Sequence, residues 1–204
     1  MIAKRIILCD LGNVLIEWNP SALFSKLIPD QQERQDYLSK IKFYEWNAKQ
    51  DAGRCWVEAE QELISQFPHD EKLIMAYRNR YLETMGAVKT DVVDILKQLK
   101  SKGCTLYAAS NWNSETFEIT RPRMTFLDLF DGMHISGEIG VIKPDPRFFT
   151  SMMDRYGFKS EEAIFIDDNL ENVSAAQKVG ISSIHFHNAN KLIDALKQMN
   201  ITIK

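Results

Sequence analysis

Residues 6–9 (Ile-Ile-Leu-Cys) run apolar without a polar break and close on Asp10, with Gly12 two positions further on. A short continuous apolar run reads as a strand buried on both faces, as in a parallel sheet. The glycine lets the backbone turn sharply away from it. A carboxylate at the end of such a strand is costly to desolvate unless something pairs with it. The same pattern recurs twice downstream. Cys104-Thr-Leu-Tyr-Ala-Ala closes on Ser110 and Asn111, and Ala163-Ile-Phe-Ile closes on Asp167, Asp168 and Asn169. In an open α/β sheet, ligands bind beyond the carboxyl ends of the strands. If these three strands are parallel, their polar ends converge on one edge, which is the candidate active site.

The apolar stretch continues through Val14 to Trp18 and stops at Pro20. From Ser21 to about Gly86 the texture is helical, with no good strand candidate. Leu23, Phe24 and Leu27 form one apolar stripe and Trp56, Leu63, Ile64 and Phe67 another, with turns at Pro29-Asp30, Asp51-Ala52-Gly53 and Phe67-Pro68. This reads as a helical cap domain over residues 18–86, leaving 1–17 and 87–204 as the core. Beyond the cap, Thr90 is expected to cap a helix that ends at Lys102-Gly103. Further helices are expected near Ser114–Arg121, Pro146–Tyr156 and Asn172–Val179, with a closing amphipathic helix carrying Leu192, Ile193, Leu196 and Met199. Strands are expected at Met133–Ser136 and Ile181–Phe186, and a loop at Gly137–Gly140. Strands alternating with helices predict an α/β fold: a doubly wound, Rossmann-like parallel sheet with an inserted all-helical cap domain.

Composition narrows the function. With 45% apolar and 26% charged residues in 204, the chain can bury a full core. A net charge of −3 provides no basic stripe for nucleic acid and no polybasic membrane patch. No apolar stretch approaches a transmembrane length. Lys4-Arg5 ahead of the first run faintly resembles a signal peptide, but that run is too short and Asp10 interrupts it. Cys9, Cys55 and Cys104 are widely spaced and two lie in expected core strands, so they read as buried free thiols rather than a disulfide or a zinc site, and a reducing cytoplasm is the expected location.

Three carboxylates gathered at one edge (Asp10, Asp167 and Asp168) would raise one another's pKa unless a cation joined them. Oxygen ligands with few carboxylates suit Mg²⁺, and the absence of an accompanying His or Cys cluster argues against zinc or iron. Lys143, held by Pro144, could add positive charge, while Ser110 and Asn111 could donate hydrogen bonds. A nucleophilic Asp among such groups describes a phosphoryl-transfer site. Taken singly, Asp10 could cap a turn, Lys143 could be a solvated surface lysine, and Ser110 and Asn111 could cap a helix. Trp56 sits on an apolar stripe and reads as core. Trp18 and Trp112 each follow a motif closely and are candidates for the pocket mouth. Trp46 and Arg54 flank the cap turn, where a substrate could be selected. His134, His185 and His187 read as strand or surface residues.

Asp10-Leu-Gly-Asn-Val, Ser110-Asn111, Lys143-Pro144 and Asp167-Asp168-Asn169, in that order, resemble the four motifs of the haloacid dehalogenase-like hydrolase superfamily with a type 1 helical cap. The details are most similar to bacterial sugar phosphatases of the α-D-glucose-1-phosphate phosphatase type. The resemblance implies that Asp10 attacks phosphorus to form an aspartyl-phosphate. It implies that Asp10, the Gly12 carbonyl and Asp168 hold Mg²⁺, with Asp167 binding through a metal water and Asn172 orienting this shell. It assigns phosphoryl oxygens to Ser110 and Asn111, and charge compensation to Lys143. One position departs from the pattern. Most phosphatases of the superfamily carry an acid–base Asp two residues after the nucleophile, and here that residue is Gly12. General acid–base catalysis contributes roughly 10²–10⁴-fold, so its loss favours a leaving group that departs with little protonation, such as the anomeric oxygen of a sugar-1-phosphate. The expected activity is therefore a Mg²⁺-dependent phosphatase of a small phosphorylated metabolite. The alternatives are a 2-haloacid dehalogenase or a catalytically weak domain that binds a phospho-ligand or a protein.

Overall fold

The computed structural model describes residues 5–203. The first strand, β1 (Ile6–Cys9), leads through a tight turn to β2 (Ile16–Trp18). Five helices follow: α1 (Pro20–Leu27), α2 (Gln31–Lys40), α3 (Phe43–Asp51), α4 (Trp56–Gln66) and α5 (Glu71–Asn79). The chain returns along β3 (Met85–Val88) into α6 (Thr90–Ser101), β4 (Thr105–Ser110), α7 (Ser114–Thr120), β5 (Gly132–Ile135) and the short α8 (Ser136–Ile139). It ends with α9 (Pro146–Tyr156), β6 (Ala163–Asp167), α10 (Leu170–Lys178), β7 (Ser182–His185) and α11 (Ala189–Gln198).

The main sheet runs β5-β4-β1-β6-β7 with every neighbouring pair parallel. The chain builds outward on one side of β1 through β4 and β5, then crosses to the other side for β6 and β7. The strand order therefore reverses at β1, and a crevice opens at its carboxyl end. The side-chain period of two fills both faces. Ile7, Cys9, Leu106, Ala108, Ile164 and Ile166 join one core, shared with α6 and α11. Leu8, Ala109 and Phe165 join the other, with Phe148, Phe149 and Met152 of α9. This two-sided burial is why the strands read as unbroken apolar runs.

The helical insertion is held together by aromatic side chains. Phe43 and Tyr77 meet edge to face with centroids 4.8 Å apart, as do Trp46 and Trp56 at 5.4 Å. Such pairs contribute about 0.5–1.5 kcal/mol each beyond the area they bury. Trp56 is thus core, as its stripe suggests, and so is Trp46, whose Nε1 donates to the Ala59 carbonyl at 3.2 Å.

Four local expectations need correction. Met85–Val88 is a strand, pairing antiparallel with β2 where the chain enters and leaves the insertion. Two short segments acquire that pairing only because the fold brings them together. Gly137–Gly140 lies largely within α8 rather than in a loop. Gly137 is needed there because a Cβ would come within 2.7 Å of the Trp112 carbonyl. Thr90 is the first residue of α6, with Lys89 at the cap position. Cys55 is exposed, whereas Cys9 is buried and Cys104 partly so, and all three thiols are free.

Candidate active site

Register brings the motifs together. Cys9 pairs with Ala108 on β4 and with Ile166 on β6, so Asp10 emerges level with Ala109 and Asp167 and one step from Ser110. Its amide donates to the Ile166 carbonyl at 2.9 Å, and its Oδ1 accepts from the Leu11 amide at 2.7 Å. The turn beyond depends on Asn13, which takes a left-handed conformation (φ 55°) that asparagine tolerates. Asn13 Oδ1 accepts from the Trp18 amide at 3.0 Å, and its carbonyl accepts from the Lys89 ammonium. Gly12 is not among the left-handed glycines, and a Cβ built on it meets nothing within 4 Å. Its carbonyl accepts from the Val14 amide at 2.7 Å and keeps a second lone pair.

The Lys143 side chain is fully buried, with Nζ 3.2 Å from Asp10 Oδ1 and 2.6 Å from Asp167 Oδ2. Burial would lower its pKa, but the two carboxylates hold it above its ordinary value. Asn111 does not meet its expectation simply. Its side-chain Nδ2 donates to the Lys143 carbonyl and its Oδ1 accepts from the Lys143 amide, both at 2.8 Å, so this amide clamps the lysine's backbone. Asp167 is closed off from solvent and accepts from Lys143, from the Asn169 amide at 2.8 Å and from Asn172 Nδ2 at 3.1 and 3.2 Å.

Asp10, Asp167 and Asp168 each offer an oxygen within 4.8 Å of the others. Burial pushes Asp10 up to about 7; Lys143 opposes this, while Asp167 and Asp168 add to it. Burial and the Asp167 charge also raise Asp168. Three carboxylates thus crowd one ammonium, and the Asn172 Oδ1 is buried beside them without a partner. An all-oxygen donor set with an excess of negative charge and an unpartnered amide oxygen fits a hard divalent cation of the Mg²⁺ kind.

A cavity of about 260 Å³ opens above this edge. Its floor includes Asp10, Gly12, Ser110, Asn111, Asp168 and Asn172, and Trp18 and Trp112 both line it. Arg54 is not among the lining residues; its guanidinium is engaged with Glu62 of α4. The insertion contributes Tyr44, Asn47, Ala48 and Asp51 instead. Spaced i, i+3, i+4 and i+7, they form one face of α3, laid over the pocket. In the sequence this mixture of polar and aromatic residues looks like a solvated helix face, so only the periodicity could have pointed to it. Tyr81 also lines the cavity, its ring centroid 6.4 Å from that of Trp112.

What this edge of the sheet defines is a capped α/β protein that gathers three carboxylates and one lysine in a single pocket. A family model described as haloacid dehalogenase-like hydrolase matches residues 4–180, and the chain belongs to that family. Among curated relatives, a sesquiterpene phosphatase of Aspergillus oryzae is 29% identical over 93% of each chain. An (S)-2-haloacid dehalogenase of Burkholderia cepacia is 25% identical over 58% of this chain and 57% of its own length. Among solved structures, a family enzyme of Bacteroides thetaiotaomicron in complex with magnesium and inorganic phosphate superimposes with a TM-score of 0.68 at 25% identity, covering 91% of this chain and 95% of that one. No helix among the described residues is long and apolar enough to cross a membrane.

Proposed function

We propose that this hydrolase is a Mg²⁺-dependent phosphatase of small phosphorylated metabolites, with sugar phosphates, including sugar-1-phosphates, as its substrate class. The observation that carries the reading is the Asp10–Asp167–Asp168 cluster locked to a buried lysine at the switch point of the sheet. The phosphatase and the magnesium–phosphate complex among its relatives support it. Asp10, Asp168 and the Gly12 carbonyl would hold the metal, with Asp167 and Asn172 in the surrounding shell. The ion supplies positive charge that lets an anionic phosphoryl group approach a carboxylate. Asp10 attacks phosphorus and carries the group as an aspartyl-phosphate. Lys143 offsets charge between nucleophile and phosphate, and Asn111 fixes the lysine's backbone. Ser110 faces the phosphoryl oxygens. Four aromatic rings (Trp18, Tyr44, Tyr81 and Trp112), interleaved with the polar Asn47 and Asp51, favour a leaving group with both flat apolar faces and hydroxyls.

Carbon attack on a 2-haloacid by the same Asp10 needs no metal, and the carboxylate cluster then has no task. Phosphate release from a panel of sugar phosphates, with Mg²⁺ and with excess EDTA, tests the reading alongside chloride release from 2-haloacids. Phosphate release abolished by EDTA is the expected result. Chloride release that EDTA leaves untouched, with no phosphatase activity, would overturn it.

A further inference from the structure

The pocket contains a carboxyl group that comes from the insertion. Asp51 closes α3 and lines the same cavity as Asp10 and Gly12. Its Oδ1 accepts from the Asn113 amide at 3.1 Å and its Oδ2 from Asn47 Nδ2 at 2.8 Å, which leaves each oxygen a lone pair. The groups that hydrogen-bond to it or interact with it electrostatically are neutral. They are Asn47 on its own helix, Asn113 after β4, Ser136 of α8 (whose hydroxyl donates to the Asp51 carbonyl at 2.6 Å), and the phenols Tyr77 and Tyr81. Both phenols are kept protonated by burial. Among the described residues no lysine, arginine or histidine forms an ion pair with Asp51.

A carboxylate at a helix C-terminus also faces the negative end of the helix dipole. Burial pushes this carboxyl up to about 7, with the Asn113 N–H drawing it the other way. A group so placed exchanges a proton near neutrality, where general acid–base catalysis is most effective. The position two residues after the nucleophile, meanwhile, is a glycine with open space beside it.

We propose that Asp51 is the proton donor and acceptor of this site, reaching the leaving group from the insertion because Gly12 supplies no carboxyl group. The inference rests on the phosphatase reading above. In the first half-reaction an Asp10 oxygen bonds to phosphorus and the bond from phosphorus to the leaving oxygen breaks. That oxygen keeps the electron pair and takes the proton from Asp51, so an alcohol departs. In the second, the Asp51 carboxylate removes a proton from water as the water oxygen bonds to phosphorus. The bond to Asp10 breaks with its electron pair returning to the carboxylate, and inorganic phosphate leaves with both groups restored.

The test compares the wild type, Asp51→Asn, Gly12→Asp and the double variant. First-turnover leaving-group release is followed by rapid quench on sugar and simple alkyl phosphates and on p-nitrophenyl phosphate, with Mg²⁺ present. Asp51→Asn keeps an acceptor for the Asn113 amide. It should slow alkyl and sugar phosphates by about 10²–10⁴-fold, slow the activated aryl ester far less, and remove the limb of the pH–rate profile near neutrality. Gly12→Asp should restore much of the rate in the Asp51→Asn background. Equal losses on all three ester types with an unchanged pH profile would make Asp51 a purely structural tie and overturn the proposal. If Asp51→Asn does not fold, the wild type decides: first-turnover rates on alkyl phosphates comparable to those on the aryl ester require an acid in place, and alkyl phosphates released more than about a hundredfold slower would mean that none is. A wild type that releases no phosphate from any ester overturns the phosphatase reading and this inference with it. An active wild type that Asp51→Asn leaves unaltered overturns this inference alone.

Discussion

Lys143 is a buried cation shared by two carboxylates. Its ammonium is the sole cation in contact with Asp10 and Asp167 among the described residues, and it has no access to water. Breaking a buried ion pair from one side costs about 3–5 kcal/mol, because the remaining charge stays buried and unpaired. Lys143→Met should lose stability of that order in urea unfolding at pH 8 without divalent cations, and Mg²⁺ should restore part of it. A loss below 1 kcal/mol would mean the cluster does not depend on the lysine. Asp51 gives a second residue-scale test. Its folded pKa, about 7, lies above the ordinary carboxyl value of 3.8, so the folded state binds the proton more tightly than the unfolded one. The stability it contributes is complete below about pH 4 and is lost as pH rises through 7. Thermal melts of the wild type should therefore decline between pH 4 and pH 7 more steeply than those of Asp51→Asn. At this scale the sequence revealed the residues that close strands, because a polar side chain ending an apolar run is conspicuous. It did not reveal Asn111 as the clamp on Lys143, since which atoms an amide engages depends on a residue 32 positions away.

At the scale of elements, the long strands and the amphipathic helices were legible and the shortest pieces were not. β6 is buried at all five positions, and α6 buries Val92, Val93, Ile95, Leu96 and Leu99 along one side. Patterns of that length leave little ambiguity. β2 and β3 are strands only because they pair with each other where the chain enters and leaves the insertion, and nothing local to either segment announces that pairing. α3 conceals its pocket face differently. It buries Phe43, Trp46, Asn47 and Gln50 while turning Tyr44, Asn47, Ala48 and Asp51 toward the pocket, so two faces with mixed polarity overlap. Arg54, the expected selector, lies beyond that helix and pairs with Glu62. Substrate choice should accordingly follow α3. Tyr44 is 60% exposed and contributes little to the core. Tyr44→Ala should raise KM for the preferred sugar phosphate several-fold and reorder the substrate panel while shifting Tm by less than about 2 °C, in keeping with a change of under 1 kcal/mol at the surface. An unchanged panel would remove α3 from substrate selection.

Across the whole molecule, the insertion is tied to the sheet beside the catalytic edge. Asn113, just after β4, accepts from Trp56 Nε1 at 2.8 Å and donates through Nδ2 to the Gln50 carbonyl at 2.9 Å. One loop residue thus links the insertion to the strand end that carries Ser110, and the pocket is built across that seam. The unbalanced carboxylates should also make the folded state respond to a divalent cation. At a hundredfold excess over its dissociation constant, Mg²⁺ should stabilise the fold by about 2.7 kcal/mol, or about 5–10 °C in Tm for a chain of this size. A melt insensitive to Mg²⁺ would contradict the metal assignment. The central claim is that Asp10 attacks phosphorus. It is tested most directly by the rate of phosphate release from a sugar phosphate by Asp10→Asn, with Mg²⁺ present and a melt showing the variant folded. Asparagine preserves shape, and Asp167 still pairs with Lys143. The account requires the rate to fall on the order of 10⁴-fold or more, as when a covalent nucleophile is removed. Release within tenfold of the wild type would contradict it.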